Sequence, residues 1–497
     1  MSYGPEVTRE DLLALLADRD AQLMALDARV AALGAQVVAL DGMVAALRAQ
    51  LARDSSNSGK PPSSDSPFVK KPAAKRSSRT RSGNPRGKQP GAPGTTLELA
   101  DDPDDTIVKS PAACGGCGGD LAGAPVYASQ RRQVLDVPAA APRPHVTEFQ
   151  VVSKQCGCCG AVTEAQAPEA AGSRVQYGPR IKARTTWLVC GHFLPIRRAR
   201  AVVNALLGFE ISAGFAASVR AQAARLLEEG FLPHVRALIA SAPVAHADET
   251  VARAEGALRY LHVACTEHLT AMHVGDRSAE AIDAGGVWES FTGVLVRDGY
   301  AGYAHLEQVE HAWCGIHLVR DLRAVNDPDP TGQSWAGMMV RTLLRGNTLA
   351  HAARAEGREK LTDTELAGLD SWYYGAIAQG WRENETGRDP LHEAARTLLR
   401  RFDKHKDMIL RFTVNLAVPF TNNTAELPAR AVKVQQRTSG GSWRTLQGLI
   451  DFAVVQSYLS TATKWGHDTL EVLEHLFTTG PWLPHALTPK PSDATSG

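Results

Sequence analysis

The stretch Pro243-Val-Ala-His246-Ala-Asp248-Glu249-Thr250 decides how the second half of this chain is read. It is short and alternating through Glu249, which is the pattern of a half-buried strand. Downstream, Leu258 to Cys265 and Leu269 to Val274 are rich in apolar and β-branched residues, with the turn-like Thr266-Glu267-His268 between them. Ser278 to Ala284 reads as a helix. Gly293-Val-Leu-Val-Arg-Asp298-Gly then reads as a buried strand ending in Asp and Gly. Together these predict a three-strand meander, a helix and a fourth strand, an α/β layer. Thr331 to Phe412 is mostly helical in pattern and carries Trp335, Trp372 and Trp381, read as core packing rather than base-stacking groups. Asn422 to Ala431 and Ser457 to Phe477 also read as helices.

The chain has 497 residues, so roughly three domains at ~150 residues each. Hydrophobic residues make up 44% and charged residues 22%, which excludes wholesale disorder and a collagen-like fibre. No apolar run approaches the ~18 residues of a membrane helix, and the start has no basic-then-apolar leader pattern. The expectation is a cytoplasmic protein without a membrane partner. Eight Cys in this length is not the density of a disulfide scaffold. The net charge of +1 argues against a nucleic-acid partner only if charge is evenly spread, and it is not.

Residues 1–53 predict a coiled-coil dimerisation helix. Leu16, Leu23, Val30, Val37, Val44 and Leu51 occupy one heptad position, and Leu12, Leu26, Leu33, Leu40 and Leu47 the other, interrupted only by Arg19. Several β-branched residues at a with Leu at d favour a parallel homodimer; an amphipathic helix packed on its own domain is the alternative. Residues 54–99 read as a disordered linker in which Lys70, Lys71, Lys75, Arg76, Arg79, Arg81, Arg86 and Lys88 stand with no acid among them. Such a block suits phosphate contacts, with a solvated linker as the bland reading. Cys114-Gly-Gly-Cys117 and Cys156-Gly-Cys-Cys159 predict a zinc ribbon over 100–165, with Cys114, Cys117, Cys156 and Cys159 as ligands of a structural Zn2+. Strand-like pieces fall at Pro125 to Tyr127 and His145 to Val152; free thiols or a redox pair are the other readings. Residues 166–240 are helical in pattern, with turns at Gly191, Gly208 and Gly214, a basic run Arg197, Arg198, Arg200, and Ser212 as a helix N-cap. A DNA-docking helix-turn-helix and a packed spacer are equally compatible with it.

Among the acids, position singles out Asp248 and Asp298, which end the first and fourth strands, and Glu426 in Asn422-Asn423-Thr-Ala-Glu426. Three carboxylates together can hold two Mg2+ ions, which take hard oxygen ligands, and such a pair serves phosphodiester chemistry. For each Asp a turn or cap role is the alternative. Glu249 is an extra candidate ligand that a strand would point away from Asp248. Cys314 and His317 have metal-ligand spacing, and His311 stands three residues before Cys314, but no fourth partner is in view and they read as a structural motif. Gly440 and Gly441, between Lys433, Arg437 and Arg444, would let backbone approach a phosphate or simply make a tight turn.

The chain resembles transposases of the insertion sequence 66 family, of the DDE type, in most of its length. The resemblance is carried by the leucine-zipper start, Ser55-Ser-Asn57-Ser58-Gly-Lys-Pro61-Pro62, the cysteine pairs, Tyr177-Gly-Pro179, Leu194-Pro-Ile-Arg197 and His246-Ala-Asp248-Glu-Thr250. It continues in Asp298-Gly-Tyr300-Ala-Gly-Tyr303, Cys314-Gly-Ile-His317-Leu-Val-Arg320, Asn422-Asn423-Thr-Ala-Glu426 and Lys433-Val-Gln-Gln-Arg-Thr-Ser439-Gly440-Gly441-Ser-Trp443-Arg444. Leu427 stands where the family usually has Arg, with Arg430 as a nearby cation. The resemblance implies a multidomain α/β protein: a coiled coil, a zinc ribbon, and a ribonuclease-H-like catalytic core over 241–460. It implies a helical insertion at about 331–412 in that core, then a C-terminal helix and tail over 461–497.

It further implies Asp248, Asp298 and Glu426 as catalytic acids holding two Mg2+ ions, with Mn2+ able to substitute. The DNA partners implied are element ends and target, contacted by the basic arm, Arg430, Lys433, Arg437 and Arg444, and accessory proteins of the same element are possible partners. The acids are 50 and 128 residues apart, and the insertion accounts for the longer interval. The rival from another class is a non-catalytic zinc-ribbon and coiled-coil DNA-binding protein; a metal-dependent ribonuclease on the same fold is a third reading.

Overall fold

The computed structural model describes residues 9–51, 99–134, 144–166, 174–208 and 210–489. The basic block from Lys70 to Lys88, read above as a DNA-contacting arm, lies outside the described residues. The chain divides into two compact units, one of 70–145 with 205–209 and one of the remainder.

Helix α1 spans Arg9–Leu51. Its heptad residues between Leu16 and Val44 stand exposed, Leu23 at 57%, Val30 at 61% and Leu33 at 59%, as an unpartnered stripe would be. Asp18–Val44 within it, at a mean hydropathy of 1.6, is long and apolar enough by length and composition to cross a membrane, which corrects the expectation that no segment qualifies. Asp27 and Arg29 lie near the middle of that segment. At a bilayer centre such a charge costs roughly 2.5–3.5 kcal/mol, whereas in the heptad both flank the apolar seam.

In the smaller unit, Cys114-Gly-Gly-Cys117 closes a tight knuckle. The Cys114 N–H donates to Gly119 O at 2.8 Å, the Gly118 N–H donates back to Cys114 O at 2.9 Å, and Gly118 takes φ +73°. In the larger unit Cys156-Gly-Cys-Cys159 repeats that geometry at Ala161 and Gly160, again with φ +73°. This second knuckle sits between the antiparallel strands β1 (Ser153–Gln155) and β2 (Val162–Glu164). The strand-like pieces expected at Pro125 to Tyr127 and His145 to Val152 are irregular instead. Both are largely exposed, so no buried face selects the extended form.

The larger unit continues with α2 (Pro179–Thr186), a π-helical turn (Trp187–Gly191), α3 (Ile196–Leu207), α4 (Ala213–Gly230) and α5 (Leu232–Ala240). Ser212 caps α4 as expected, its Oγ accepting from the Phe215 N–H at 3.0 Å. Gly214, expected in a turn, lies inside that helix.

A five-stranded sheet follows: β3 (Val244–Ala254), β4 (Ala257–Cys265), β5 (Thr270–Gly275), β6 (Val294–Arg297) and β7 (Glu310–Trp313), in the order β5-β4-β3-β6-β7. The meander β3–β4–β5 is antiparallel, and β6 and β7 run parallel to β3. Helix α6 (Ala279–Asp283) links β5 to β6. The meander, the linking helix and the fourth strand are as the sequence predicts. Strand β3 runs five residues beyond Glu249, because its far half pairs with β4 in a hairpin.

Helix α7 (Gly315–Asn326) leads into the insertion: α8 (Ser334–Ala355), α9 (Asp363–Glu383), α10 (Pro390–Lys404), α11 (Lys406–Ile409) and α12 (Arg411–Val414). These share a core with Val294 and Val296 of β6 and Ala312 and Trp313 of β7. Trp335 lies fully buried there, its Nε1 donating to Gln333 Oε1 at 2.8 Å. Trp372 and Trp381 are 53% and 36% exposed, so the core-packing reading holds for Trp335 alone. The chain ends in α13 (Asn423–Thr438), α14 (Leu446–Lys464) and α15 (Thr469–Thr478), which share the other core with β3, β4, β5 and α4. The single helix expected over Ser457 to Phe477 is therefore two, broken at Gly466 with φ +82°.

Trp335→Ala is expected to lower the unfolding free energy by about 3–5 kcal/mol, the range for emptying a buried Trp site, measured by urea denaturation.

Candidate functional site

Parallel pairing of β3 with β6 holds a constant register: Val244 faces Val294, Ala245 faces Leu295, and His246 faces Val296. Two residues on, the same register brings Asp248 beside Asp298. Because side chains alternate with a period of two, equivalent positions on neighbouring strands face the same way. The two acids thus meet on the central strands, where β6 stops and β3 goes on into the hairpin. They are not at an edge, and Asp248 does not end its strand.

The start of β6 depends on close backbone approach. A Cβ at Gly293 would meet Pro243 O at 2.6 Å, and Val294 N donates to that same carbonyl at 2.9 Å. At its far end, Asp298 Oδ1 accepts the Tyr300 N–H at 2.8 Å, folding the chain into a turn. The buried Arg297 braces it, its Nη1 donating to Asp298 O at 3.0 Å and Tyr300 O at 2.8 Å.

Glu426 arrives on α13, one turn past the buried Asn422. The Asn422 amide donates to Ala247 O at 2.7 Å, its Oδ1 meets His246 Nδ1 at 2.8 Å, and its backbone N–H donates to Cys314 Sγ at 3.2 Å. Pro428 lies inside α13 and cannot bond back to Thr424; the thiol of Cys265 donates to that carbonyl instead, at 3.4 Å. Cys314 is the N-cap of α7. Gly315 follows it directly, and a Cβ there would strike the Phe420 ring at 2.1 Å, while Gly315 N donates to Phe420 O at 2.8 Å. His317 then sits in the first turn of α7, its Nδ1 3.9 Å from Glu426 Oε1.

The site is a partly buried concentration of negative charge. Burial, then the charges of Asp298, Glu249 and Glu426, push the Asp248 carboxyl well above its usual range, and His317 opposes them. Glu249 is likewise raised by burial and by Asp298, but Arg277 counters the shift with Nη2 at 2.5 Å and Nε at 3.1 Å from Glu249 Oε1. The Arg277 guanidinium stacks 3.7 Å from the centroid of the Tyr300 ring. Glu249 is therefore already paired through its Oε1, although its charge still bears on Asp248. Burial and the carboxylates of Glu249, Asp248 and Asp298 hold the Tyr303 phenol neutral. Burial works against a charged His317, but Cys314, Asp298 and Glu426 outweigh it and raise the imidazole to about 9.

A divalent cation suits this arrangement. The oxygens of Asp248, Asp298 and Glu426 are hard donors, and Glu426 Oε1 is buried without a hydrogen-bond partner. A cation among them would also relieve the mutual repulsion that raises Asp248.

The positively charged candidates divide. Arg430 is 66% exposed, with Nη2 3.9 Å from Glu426 Oε2, and Arg437 and Arg444 are exposed. The Lys433 amine instead donates to Val251 O at 2.6 Å and is tied into the fold. Gly440 and Gly441, at φ +88° and +92°, make the tight turn after α13. Leu427 is 60% exposed and lines a cavity of about 610 Å³ with Phe193, Pro428 and Leu459. Sequence reasoning gave no role to Asn422, His246 or Arg277, and it set His311 beside Cys314 and His317, whereas both His311 ring nitrogens are engaged elsewhere, by Arg297 and the Leu306 carbonyl. The first two stand within quoted motifs, but only their contacts reveal what they do.

Two variants probe this framework. Asn422→Ala removes a buried side chain serving two partners, His246 and the Ala247 carbonyl, and is expected to cost about 2–4 kcal/mol of stability by urea denaturation. His246, buried and with Lys464 near, is depressed to about 4 despite its bond to Asn422. The fold thus holds it neutral, and its contribution is complete above the ordinary value of about 6.5 and is lost as pH falls from there toward 4. Unfolding free energies between pH 7 and pH 4 should drop by about 3 kcal/mol less in His246→Gln than in the wild type.

Residues 15–98 match a family of unknown function, DUF6444. No curated protein matches the chain. Residues 174–449, more than half of the chain and including all three acids, match the Transposase IS66 family. The chain belongs to the IS66 family of transposases.

Proposed function

We propose that this transposase is a DDE enzyme in which Asp248, Asp298 and Glu426 hold two Mg2+ ions, or Mn2+ in their place, and act on the phosphodiesters at the ends of its element. The observation that carries the reading is the convergence of three carboxylates from β3, the end of β6 and α13 on one partly buried site, where the charge of His317 only partly offsets the repulsion at Asp248. A ribonuclease-H-like core is supported by the sheet, an antiparallel meander extended by two strands parallel to its first.

When bound, the ions supply an activated oxygen nucleophile and neutralise charge on the leaving oxygen. In the first reaction water adds to the phosphorus at the element end and the P–O3′ bond breaks. The element keeps a free 3′-OH and the flanking strand keeps the 5′-phosphate. In the second, that 3′-OH attacks a target phosphodiester, forming one P–O bond and releasing a target 3′-oxygen that takes up a proton. Asp248 and Asp298 orient the reacting phosphate from the sheet, and Glu426 closes the site from α13. Arg277 pairs Glu249 and partly offsets the fourth carboxylate beside the acids. No covalent protein–DNA step is needed, and the neutral Tyr303 phenol is not suited to one.

Around this core we assign α1 to homodimerisation through its exposed heptad stripe. The basic arm from Lys70 to Arg81, with Arg430, Arg437 and Arg444, is assigned to contact with DNA ends and target. From their sequence spacing, the pair Cys114 and Cys117 and the pair Cys156 and Cys159 are assigned as thiolate donors for structural Zn2+. Their knuckles have matching geometry, and in each the first thiol, Cys114 and Cys156, is lowered by hydrogen bonds within the knuckle, which favours the thiolate a metal needs. The enzyme would work in the cytoplasm on chromosomal DNA, with accessory proteins of its element as possible partners.

Asp248→Asn should reduce Mg2+-dependent cleavage of an end-containing duplex by at least about a thousandfold while leaving end binding within about twofold, read by gel assays of cleavage and mobility shift. Undiminished cleavage by this variant would sink the assignment. Stripping Zn2+ with a chelator should loosen the ribbon and lower affinity for DNA ends, measured by fluorescence anisotropy, with the melting of the five-stranded domain unchanged.

A further inference from the structure

Beside the acids lies a second donor set of different chemistry. Among the described residues, Cys314 Sγ, a His317 ring nitrogen and a Glu426 carboxylate oxygen lie within 4.8 Å of one another. His317 Nδ1 and Glu426 Oε1 are both buried and both lack a hydrogen-bond partner. They face each other across 3.9 Å, too far to bond directly. A nitrogen and an oxygen each about 2.0–2.1 Å from one tetrahedral ion stand about 3.4 Å apart, so a shift of roughly half an ångström brings this pair to the spacing of a coordination shell.

We propose that Cys314, His317 and Glu426 form a site for a thiophilic divalent ion such as Zn2+, and that filling it switches the enzyme off. The switch rests on the reading of Glu426 as a catalytic Mg2+ ligand. Glu426 is the shared residue: committed to zinc, it no longer completes the set with Asp248 and Asp298. Donor softness separates the two sites. Thiolate and imidazole favour zinc, and Mg2+ prefers the all-oxygen set.

The fold holds the three donors in place by separate means. Cys314 is fixed at the start of α7 by the Asn422 N–H, Gly315 behind it is pinned under the Phe420 ring, and His317 follows within the same turn. Glu426 comes from the facing turn of α13. Its side chain is 17% exposed and that of His317 23%, so an ion can enter from solvent. The fourth position stays open to water.

The test uses the full-length protein with its ribbon zinc in place, dialysed against micromolar Zn2+ in excess Mg2+, with bound zinc measured by elemental analysis. Wild type should bind about one equivalent more than Cys314→Ser or His317→Gln. Each variant is checked for native melting, and the serine retains an oxygen acceptor for the Asn422 N–H. Cobalt loading should give a thiolate charge-transfer band that Cys314→Ser weakens and Asp248→Asn leaves intact. Because Asp248→Asn should also keep the extra zinc, loss of the catalytic reading would not remove the binding result. In cleavage assays Zn2+ should inhibit the wild type at a concentration at least tenfold below that needed for His317→Gln. Equal zinc content in all forms overturns the proposal. So does a cobalt spectrum unaffected by Cys314→Ser, or equal zinc sensitivity of wild type and His317→Gln.

Discussion

The side chain of Asn422, with its own backbone N–H, joins the three segments from which the site is made. One fully buried residue bonds to the ring of His246, the carbonyl of Ala247 and the sulfur of Cys314. It thereby fixes β3 at the residue before Asp248, α7 at the residue before Gly315, and α13 one turn ahead of Glu426. Each of these groups is buried, so a lost partner would leave a polar atom without water to replace it. The geometry of the three acids is held by this polar contact, and the apolar cores on either side of the sheet set its surroundings.

The surrounding residues allow acids to be gathered away from water. Asp248 bears the cost of burial and of three neighbouring carboxylates, yet the fold supplies few cations to offset it. Arg277 is spent on Glu249 and Arg297 on the backbone of the turn at Asp298. His317 supplies the counter-charge at the heart of the cluster, and Arg430 reaches Glu426 from the solvent side. The site therefore holds two donor sets side by side, one of oxygen alone and one of oxygen with sulfur and nitrogen.

Much of the architecture is legible in the chain. The alternation from Pro243, the two β-rich runs after it and the apolar Gly293–Asp298 segment announce β3 to β6, and Ser212 announces α4. Strand β7 escapes notice because four residues, Glu310–Trp313, carry no period of their own and are strand only through pairing with β6. Gly214 looks like a turn until it is seen in the first turn of a well-capped helix. Pro428 would be expected to stop α13, but the Cys265 thiol, which belongs to a strand far away in the chain, serves the carbonyl it leaves open. Trp372 and Trp381 resemble Trp335 in sequence, and which Trp is buried is decided by neighbours from other helices.

By itself the sequence determined the order of most elements, the residue types of the candidate acid set and the family, because periodicity and motif are local properties of the chain. Tertiary structure alone decided that Asp248 and Asp298 share a register across two parallel strands. It also decided that Glu249 is taken up by Arg277, and that the pair Cys314 and His317 has a third partner in Glu426. These are facts of contact between segments tens to more than a hundred residues apart, and no local pattern encodes which buried polar group will meet which.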